Sequence, residues 1–131
     1  MAKKIINFFS LYLPPFLWCL FIFYFSCQPN LRVTSGPWDF LLRKLGHIFE
    51  YFLLTILVAR AVNSSIIKIN NKGFFWGALF SLFFAVSDEY HQTFIQGRFG
   101  TLSDVAIDSI GIVLAFVIFK SAELFQIKKV K

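Results

Sequence analysis

The residues of this chain that could do chemistry are gathered into three short clusters. Six of its seven carboxylates and both of its histidines fall at one end of segments that are typical of membrane helices. The clusters are Lys44-x-x-His47-x-x-Glu50-Tyr51, then Ser87-Asp88-Glu89-x-His91-Gln92, then Arg98 followed by Asp104 and Asp108. Because an ionisable group in hydrocarbon is costly, each is a functional-site candidate, and their gathering predicts one shared site.

The first cluster belongs to the second predicted helix. Lys44, His47 and Tyr51 recur at i, i+3 and i+7 and therefore share one helix face. Glu50 lies about two turns beyond Lys44, roughly 9 Å along the helix axis. At that depth its charge cannot easily reach the interface, so we expect Glu50 to be paired, protonated or in contact with a wet cavity.

The second cluster ends the third predicted helix. Asp88, His91 and Gln92 recur at i, i+3 and i+4 and share a face, whereas Glu89 is offset by one position. This spacing makes His91 a candidate base that Asp88 would orient.

The third cluster begins the fourth predicted helix. Asp104, Asp108 and Gly111 recur at i, i+4 and i+7, and Gly111 would let a neighbouring helix approach closely. Asp104 follows Ser103, which is typical of a helix start with an acidic first turn. That explanation does not extend to Asp108, one turn further in.

Two interpretations of the combined site rest on its charges. In the first, Lys44 and Arg98 neutralise the carboxylates, and the network only fastens three helices together. In the second, Lys44, Arg98 and a protonated histidine bind a phosphate or carboxylate, and the other polar groups orient the cations or act as acid and base. The ligand-binding candidates are Lys44, Glu89, Gln92, Arg98, Asp104 and Asp108, and the catalytic candidates are His47, Glu50, Asp88 and His91.

The third interpretation is a metal site. Histidine nitrogens and carboxylate oxygens suit Zn²⁺ or a similar ion. The candidate ligands are His47, His91 and Asp88, with Glu50, Asp104 and Asp108 as further carboxylates. The spacing lacks the HExxH arrangement, so no cofactor is predicted from a motif and a divalent metal stays an open alternative.

Composition identifies the elements that must position these clusters. Hydrophobic residues make up 57% of the 131 residues and charged residues only 15%, well below the roughly 25% of soluble domains. These values predict one all-α integral membrane domain over residues 1–131. Although the net charge is +6, the basic residues lie in connections and at the termini, which argues against nucleic-acid binding.

The apolar segments predict a bundle of four membrane-spanning helices, at about residues 5–25, 44–62, 73–92 and 104–120. Pro14-Pro15 should kink or divide the first, and residues 26–42 have a loop composition that places Trp38 at the membrane interface. Cys19 and Cys27 lie about 12 Å apart along one helix, which is too far for a disulfide.

The distribution of basic residues predicts the orientation of the chain. Four spans put both termini on one side, together with nine of the thirteen basic residues, while Arg32, Arg43, Lys44 and Arg98 lie on the other. The positive-inside rule therefore places both termini in the cytoplasm and the three polar clusters on the outer side.

With these clusters in place, the chain resembles the VanZ-like family. The resemblance covers roughly residues 20–115 and is carried by the motifs at 23–29, 44–51, 87–94, 97–98 and 104–111. Cys27 stands where the family more often has Ser, and Asp108 where Asn is also usual. The matching functional set is Lys44, His47, Glu50, Asp88, Glu89, His91, Gln92, Arg98, Asp104 and Asp108.

The resemblance implies a small multi-pass protein of the bacterial plasma membrane. The family's named member is associated with resistance to the lipoglycopeptide antibiotic teicoplanin, which acts outside the membrane on a cell-wall precursor. We therefore expect membrane lipids as partners, and an outward pocket that engages a lipid-linked envelope component or the acyl tail of a lipoglycopeptide. The competing hypothesis is a membrane-embedded hydrolase or transferase, metal-dependent or not, that acts on a lipid-phosphate or cell-wall precursor. His91 would be the base, oriented by Asp88, and Lys44 and Arg98 would be the clamps; the sequence leaves catalysis and oligomeric state open.

Overall fold

A computed structural model describes residues 2–29, 36, 38–64 and 69–129, with side chains described for 6–29, 36, 38–64 and 69–123. The described residues form four helices and no strand: α1 (Ala2–Ser26), α2 (Trp38–Val62), α3 (Asn71–Gln92) and α4 (Leu102–Lys129). The predicted all-α class is confirmed.

Three of the helices have the length and apolarity to cross a membrane. Their candidate spans are Ile6–Ser26, Trp38–Val62 and Leu102–Glu123. α3 is also long enough, with 22 residues, but polar residues at both of its ends lower its hydropathy. Large apolar side chains on all four helices point away from the bundle, such as Phe9, Phe49, Phe83 and Val113, and such a surface suits contact with lipid.

The helices run up and down beside one another, with α2 at the centre. α2 packs along both α3 and α4, and α1 packs mainly on α2. α1 and α3 end where α2 and α4 begin, and we call this end of the bundle the polar end. At the opposite end Lys120 Nζ of α4 donates to Asn71 Oδ1 of α3 at 2.7 Å, so the N-terminus of α1 and the C-terminus of α4 share that end.

Glycines bring α2 into backbone contact with its two neighbours. A Cβ added at Gly111 of α4 would lie 2.1 Å from the Ile48 carbonyl oxygen, and one at Gly77 of α3 would lie 2.7 Å from the Thr55 carbonyl oxygen. Atoms cannot approach that closely, so any side chain would push the helices apart. The close approach predicted at Gly111 is confirmed.

α1 is one helix, so of the two predicted effects of Pro14-Pro15 the division of the helix is wrong, while a kink stays a prediction. Pro14 lacks an N–H and leaves the carbonyl of Ser10 without its helical donor. Arg60 Nη2, in the last turn of α2, donates to that Ser10 oxygen at 2.6 Å. The freed backbone group is therefore satisfied by a neighbouring helix, which is how proline is tolerated in membrane helices.

Two helices extend beyond the predicted membrane spans. α2 begins at Trp38 rather than near residue 44, since Asp39 lies in its first turn and forms an ion pair with Arg43 across 2.9 Å. α4 continues to Lys129 rather than ending near residue 120. Trp38 and the four residues after it therefore belong to a helix, not to the expected loop.

The orientation in the membrane stays a prediction. Among the basic residues used for it, Arg60, Lys72 and Lys120 lie at the end opposite the polar end. The side chains of Lys3, Lys4, Arg32, Lys68, Lys128, Lys129 and Lys131 lie outside the described residues.

Candidate functional site

A cavity of about 380 Å³ opens at the polar end between α1, α2 and α3. About two turns of α2 supply a polar wall of Arg43, His47 and Glu50, which recur at i, i+4 and i+7, with Gly46 between them. α1 supplies the facing wall, which is apolar except for the buried hydroxyl of Ser26: Phe21, Ile22 and Phe25. The cavity therefore presents charge on one side and hydrocarbon on the other.

Two residues of α3 complete the polar wall. Asp88 and Gln92 are each only 4% exposed, and Gln92 Nε2 donates to Asp88 Oδ2 at 2.9 Å. The other carboxylate oxygen of Asp88 is buried and has no hydrogen-bond partner in the structure. An acceptor is thus available beside the cavity.

Arg98 reaches the cavity from the connection between α3 and α4. Its Nη2 donates to the Phe25 carbonyl at 2.6 Å and its Nε to the Gln28 carbonyl at 3.1 Å. These carbonyls end α1, where a cation is favoured by the helix dipole. Burial lowers the pKa of the Arg98 guanidinium, and the nearby Arg43 guanidinium lowers it further. Two cations are therefore held close together beside the cavity.

A second cavity of about 300 Å³ adjoins the first and shares Arg43, His47, Gln92 and Arg98 with it. Lys44 and Asp104 line only this second cavity and form an ion pair between α2 and α4. Asp104 also lies in the first turn of α4, as its sequence position predicts.

His47, Glu89 and Asp108 meet behind the cavities, one from each of α2, α3 and α4. His47 Nδ1 lies 3.0 Å from Asp108 Oδ1, and one donor atom from each of the three residues lies within 4.8 Å of the others. Asp108 is fully buried and Glu89 is 4% exposed. We call these three residues the His47–Glu89–Asp108 cluster.

The connection after α3 fixes the position of Glu89. The Thr101 backbone N–H donates to Glu89 Oε2 at 3.1 Å. This contact requires Gly100, because a Cβ there would lie 1.8 Å from the Glu89 carbonyl oxygen. Glu89, which is offset from the Asp88 face in the sequence, lies close to Asp108 of α4.

His91 lies apart from this cluster. Its Nε2 is 3.3 Å from Cys27 Sγ, and its ring packs on Phe23 with 4.8 Å between centroids. His91 lines neither of the two polar-end cavities. Cys27 and Cys19 are both free, as expected. The structure therefore places the histidine proposed as a base against α1 and gives His47 the carboxylate partner.

Tyr51 belongs to the apolar core rather than to either cavity. It is fully buried with Leu54 and Ala85, although it shares a helix face with Lys44 in the sequence. Its hydroxyl has no hydrogen-bond partner in the structure.

Sequence reasoning missed two site residues. Arg43 was considered only for orientation, although its spacing from His47 and Glu50 places it on their face and could have identified it. Ser26 is buried against the larger cavity. No pattern in the sequence singles it out, since its position depends on how α1 packs against α2 and α3.

The fold and the site together define a class: an all-helical membrane protein with cavities at one end of the bundle that are lined by charged and polar side chains. The chain belongs to the VanZ/LLP1 family, whose sequence model matches residues 4–126. The resemblance inferred from the motifs is thereby confirmed. No curated protein and no solved structure matches the chain.

Proposed function

We propose that this VanZ/LLP1-family protein binds an amphiphile with an anionic head and a long apolar tail in the larger polar-end cavity. The observation that carries the proposal is the division of that cavity into a polar wall, which includes Arg43 and Arg98, and an apolar wall. Its volume of about 380 Å³ lies within the 300–1,000 Å³ range of ligand pockets.

The anionic head is inferred from the two arginines. Arg43 and Arg98 line both cavities, and repulsion from the Arg43 guanidinium adds to burial in lowering the pKa of Arg98. A phosphate between them would relieve that repulsion and accept bidentate hydrogen bonds from their guanidinium groups. The tail is inferred from Phe21, Ile22 and Phe25, which offer only hydrocarbon.

The envelope role follows from the orientation. With both termini in the cytoplasm, the polar end faces outward in the bacterial plasma membrane, where lipid-linked cell-wall precursors and lipoglycopeptide antibiotics are met. Both share the chemistry of a long apolar chain on a polar anionic group. A fluorescent-protein fusion at the C-terminus tests the orientation, because it folds and fluoresces only if that terminus is cytoplasmic.

Binding is tested with the purified full-length chain by native mass spectrometry. The probes are a polyprenyl phosphate and the uncharged polyprenol of the same length. We expect the phosphate to bind at least about tenfold more tightly, the discrimination of one charge-assisted contact. Arg98→Gln and Arg43→Gln should each remove most of this preference. Lys120→Gln is the matched control, since Lys120 is a cation at the opposite end that pairs with Glu123.

Equal binding of the phosphate and the alcohol, or an unchanged preference in both arginine variants, contradicts the proposal. A separate arm compares teicoplanin with its deacylated form, and compares teicoplanin susceptibility of cells with and without the protein. Unchanged susceptibility rejects the resistance role and leaves lipid-phosphate binding to be judged by the first arm.

A second candidate, a membrane-embedded hydrolase or transferase acting on the same head group, is favoured by one observation. His47 lines both cavities and has a fully buried carboxylate, Asp108, 3.0 Å from its ring. If the protein is such an enzyme, His47→Ala abolishes release of phosphate from the polyprenyl phosphate, and His91→Ala does not. No release by the wild-type protein rejects this candidate.

A further inference from the structure

The polar end has more carboxylates than it has cations to neutralise them. Among the described side chains, Asp39 pairs with Arg43 and Asp104 with Lys44, while Arg98 donates to backbone carbonyls. The carboxylates left without a Lys or Arg nitrogen within 4.0 Å among those side chains are Glu50, Asp88, Glu89 and Asp108. Buried charge of this kind requires protons or a bound cation.

Two of these carboxylates converge on a histidine. His47, Glu89 and Asp108 each bring one donor atom within 4.8 Å of the others, although they come from three different helices. Ligand atoms around a tetrahedral ion with bonds of about 2.0–2.1 Å lie roughly 3.3 Å apart. Small side-chain movements would therefore close the cluster around one ion.

Each of these two carboxylates has one oxygen atom that makes no hydrogen bond to the described residues. Glu89 Oε1 and Asp108 Oδ2 are buried and have no hydrogen-bond partner in the structure, and Asp108 is fully buried. The Thr101 N–H meanwhile holds the second oxygen of Glu89, as outer hydrogen bonds commonly orient a metal-ligating carboxylate. An unpaired buried acceptor is unfavourable, and a bound metal ion would remove that penalty.

We propose that His47, Glu89 and Asp108 form a binding site for one divalent transition-metal cation of the Zn²⁺ type. The imidazole favours such an ion over Mg²⁺ or Ca²⁺, which prefer oxygen ligands alone. Three protein ligands leave one coordination position open, and His47 places the site beside both cavities. His91, an expected ligand from the sequence, instead contacts Cys27, and Asp88, the other expected ligand, is not among the three residues whose donor atoms converge.

The test uses the full-length protein purified in detergent, stripped with a chelator and then dialysed against one equivalent of Zn²⁺. Bound zinc is measured by mass spectrometry of the metal, and a parallel sample with Co²⁺ is measured by visible absorption. We expect about one zinc per chain, at least a tenfold preference over Mg²⁺, and a Co²⁺ spectrum of tetrahedral or five-coordinate type.

Three variants distinguish this site from adventitious binding. Glu89→Gln and Asp108→Asn keep side-chain shape and should reduce retained zinc at least about tenfold. His91→Gln is the matched control, because it removes the other histidine of the same end, and it should retain zinc like the wild type. Circular dichroism of each variant shows whether its helices have folded. If a variant has not folded, the cobalt spectrum of the wild-type protein decides whether a specific metal site exists.

Wild-type protein that retains no zinc, or variants of Glu89 and Asp108 that retain it fully, would overturn the proposal and leave protonation as the source of neutrality. Equal loss in His91→Gln would also overturn it. The outcome is independent of amphiphile binding, which is measured on the arginine variants with a lipid probe.

Discussion

The close approach of α4 to α2 at Gly111 makes a prediction whose size follows from the structure. In Gly111→Ala, the new Cβ would lie 2.1 Å from the Ile48 carbonyl oxygen and 2.8 Å from the Phe52 nitrogen. Carbon–oxygen contacts begin at about 3.3 Å, so the helices must separate locally by roughly 1 Å. Both obstructing atoms are backbone, so no side-chain rotation can absorb the change.

The separation acts directly on the site. Asp108 lies one turn before Gly111, and His47 directly precedes Ile48, so their 3.0 Å contact would lengthen to roughly 4 Å, beyond hydrogen-bond distance. Overpacking costs about 1–3 kcal/mol and loss of a hydrogen bond to a charged group about 1.5–3 kcal/mol, while alanine improves helix propensity by about 1 kcal/mol. We expect a net loss of about 2 kcal/mol or more.

Thermal unfolding of the purified protein, followed by circular dichroism, measures this loss. A loss of that size lowers Tm by roughly 5 °C or more. The matched control is Gly46→Ala in α2, where the added Cβ meets no atom within 4 Å and the free energy of unfolding should be unchanged or raised by up to about 1 kcal/mol. A Tm for Gly111→Ala at or above that of the wild type, with the control behaving as expected, would refute the reasoning.

Other contacts of the polar end give smaller, separable effects. In a double-mutant cycle of Lys44→Met and Asp104→Asn, we expect a coupling of about 0.5–1 kcal/mol in unfolding free energy, because both side chains are partly exposed; a coupling near zero contradicts the ion pair. Arg98→Lys should lower Tm and speed amide exchange at the end of α1, since one ammonium cannot reproduce the planar contact of the guanidinium with two carbonyls. Unchanged amide exchange would refute this role of Arg98. Cys27→Ser should leave Tm within about 2 °C of the wild type, since a hydroxyl can still bond to His91, whereas Cys27→Val should lower it; equal Tm values for the two variants would show that this contact is energetically silent.

Much of the fold was predictable from the sequence because it depends on local composition. Apolar runs of about 20 residues form helices in a membrane wherever they occur, and polar connections separate them. The boundaries at Trp38 and Lys129 were not predictable in this way, since a helix can extend past the apolar run when an ion pair such as Asp39–Arg43 supports its first turn.

The residues of the polar clusters were likewise predictable, since each charged residue in an apolar chain can be identified from the sequence alone. Which of these residues contact one another could not be predicted from the sequence. Helical spacing grouped Asp88 with His91, yet His91 contacts Cys27 of α1. Glu89 instead accepts a hydrogen bond from the connection that precedes α4, where Gly100 allows the close approach. Spacing along one helix cannot report the rotation of that helix against its neighbours.

The sequence by itself determined that this chain is an all-helical membrane protein of the VanZ/LLP1 family with six of its seven carboxylates and both histidines at one end, because hydrophobicity and motif spacing are properties of the chain. Only the tertiary structure decided that Arg43 and Arg98 share a cavity and that His47 meets Glu89 and Asp108. Those meetings depend on glycine contacts between helices far apart in sequence, whose rotation and depth are set by packing.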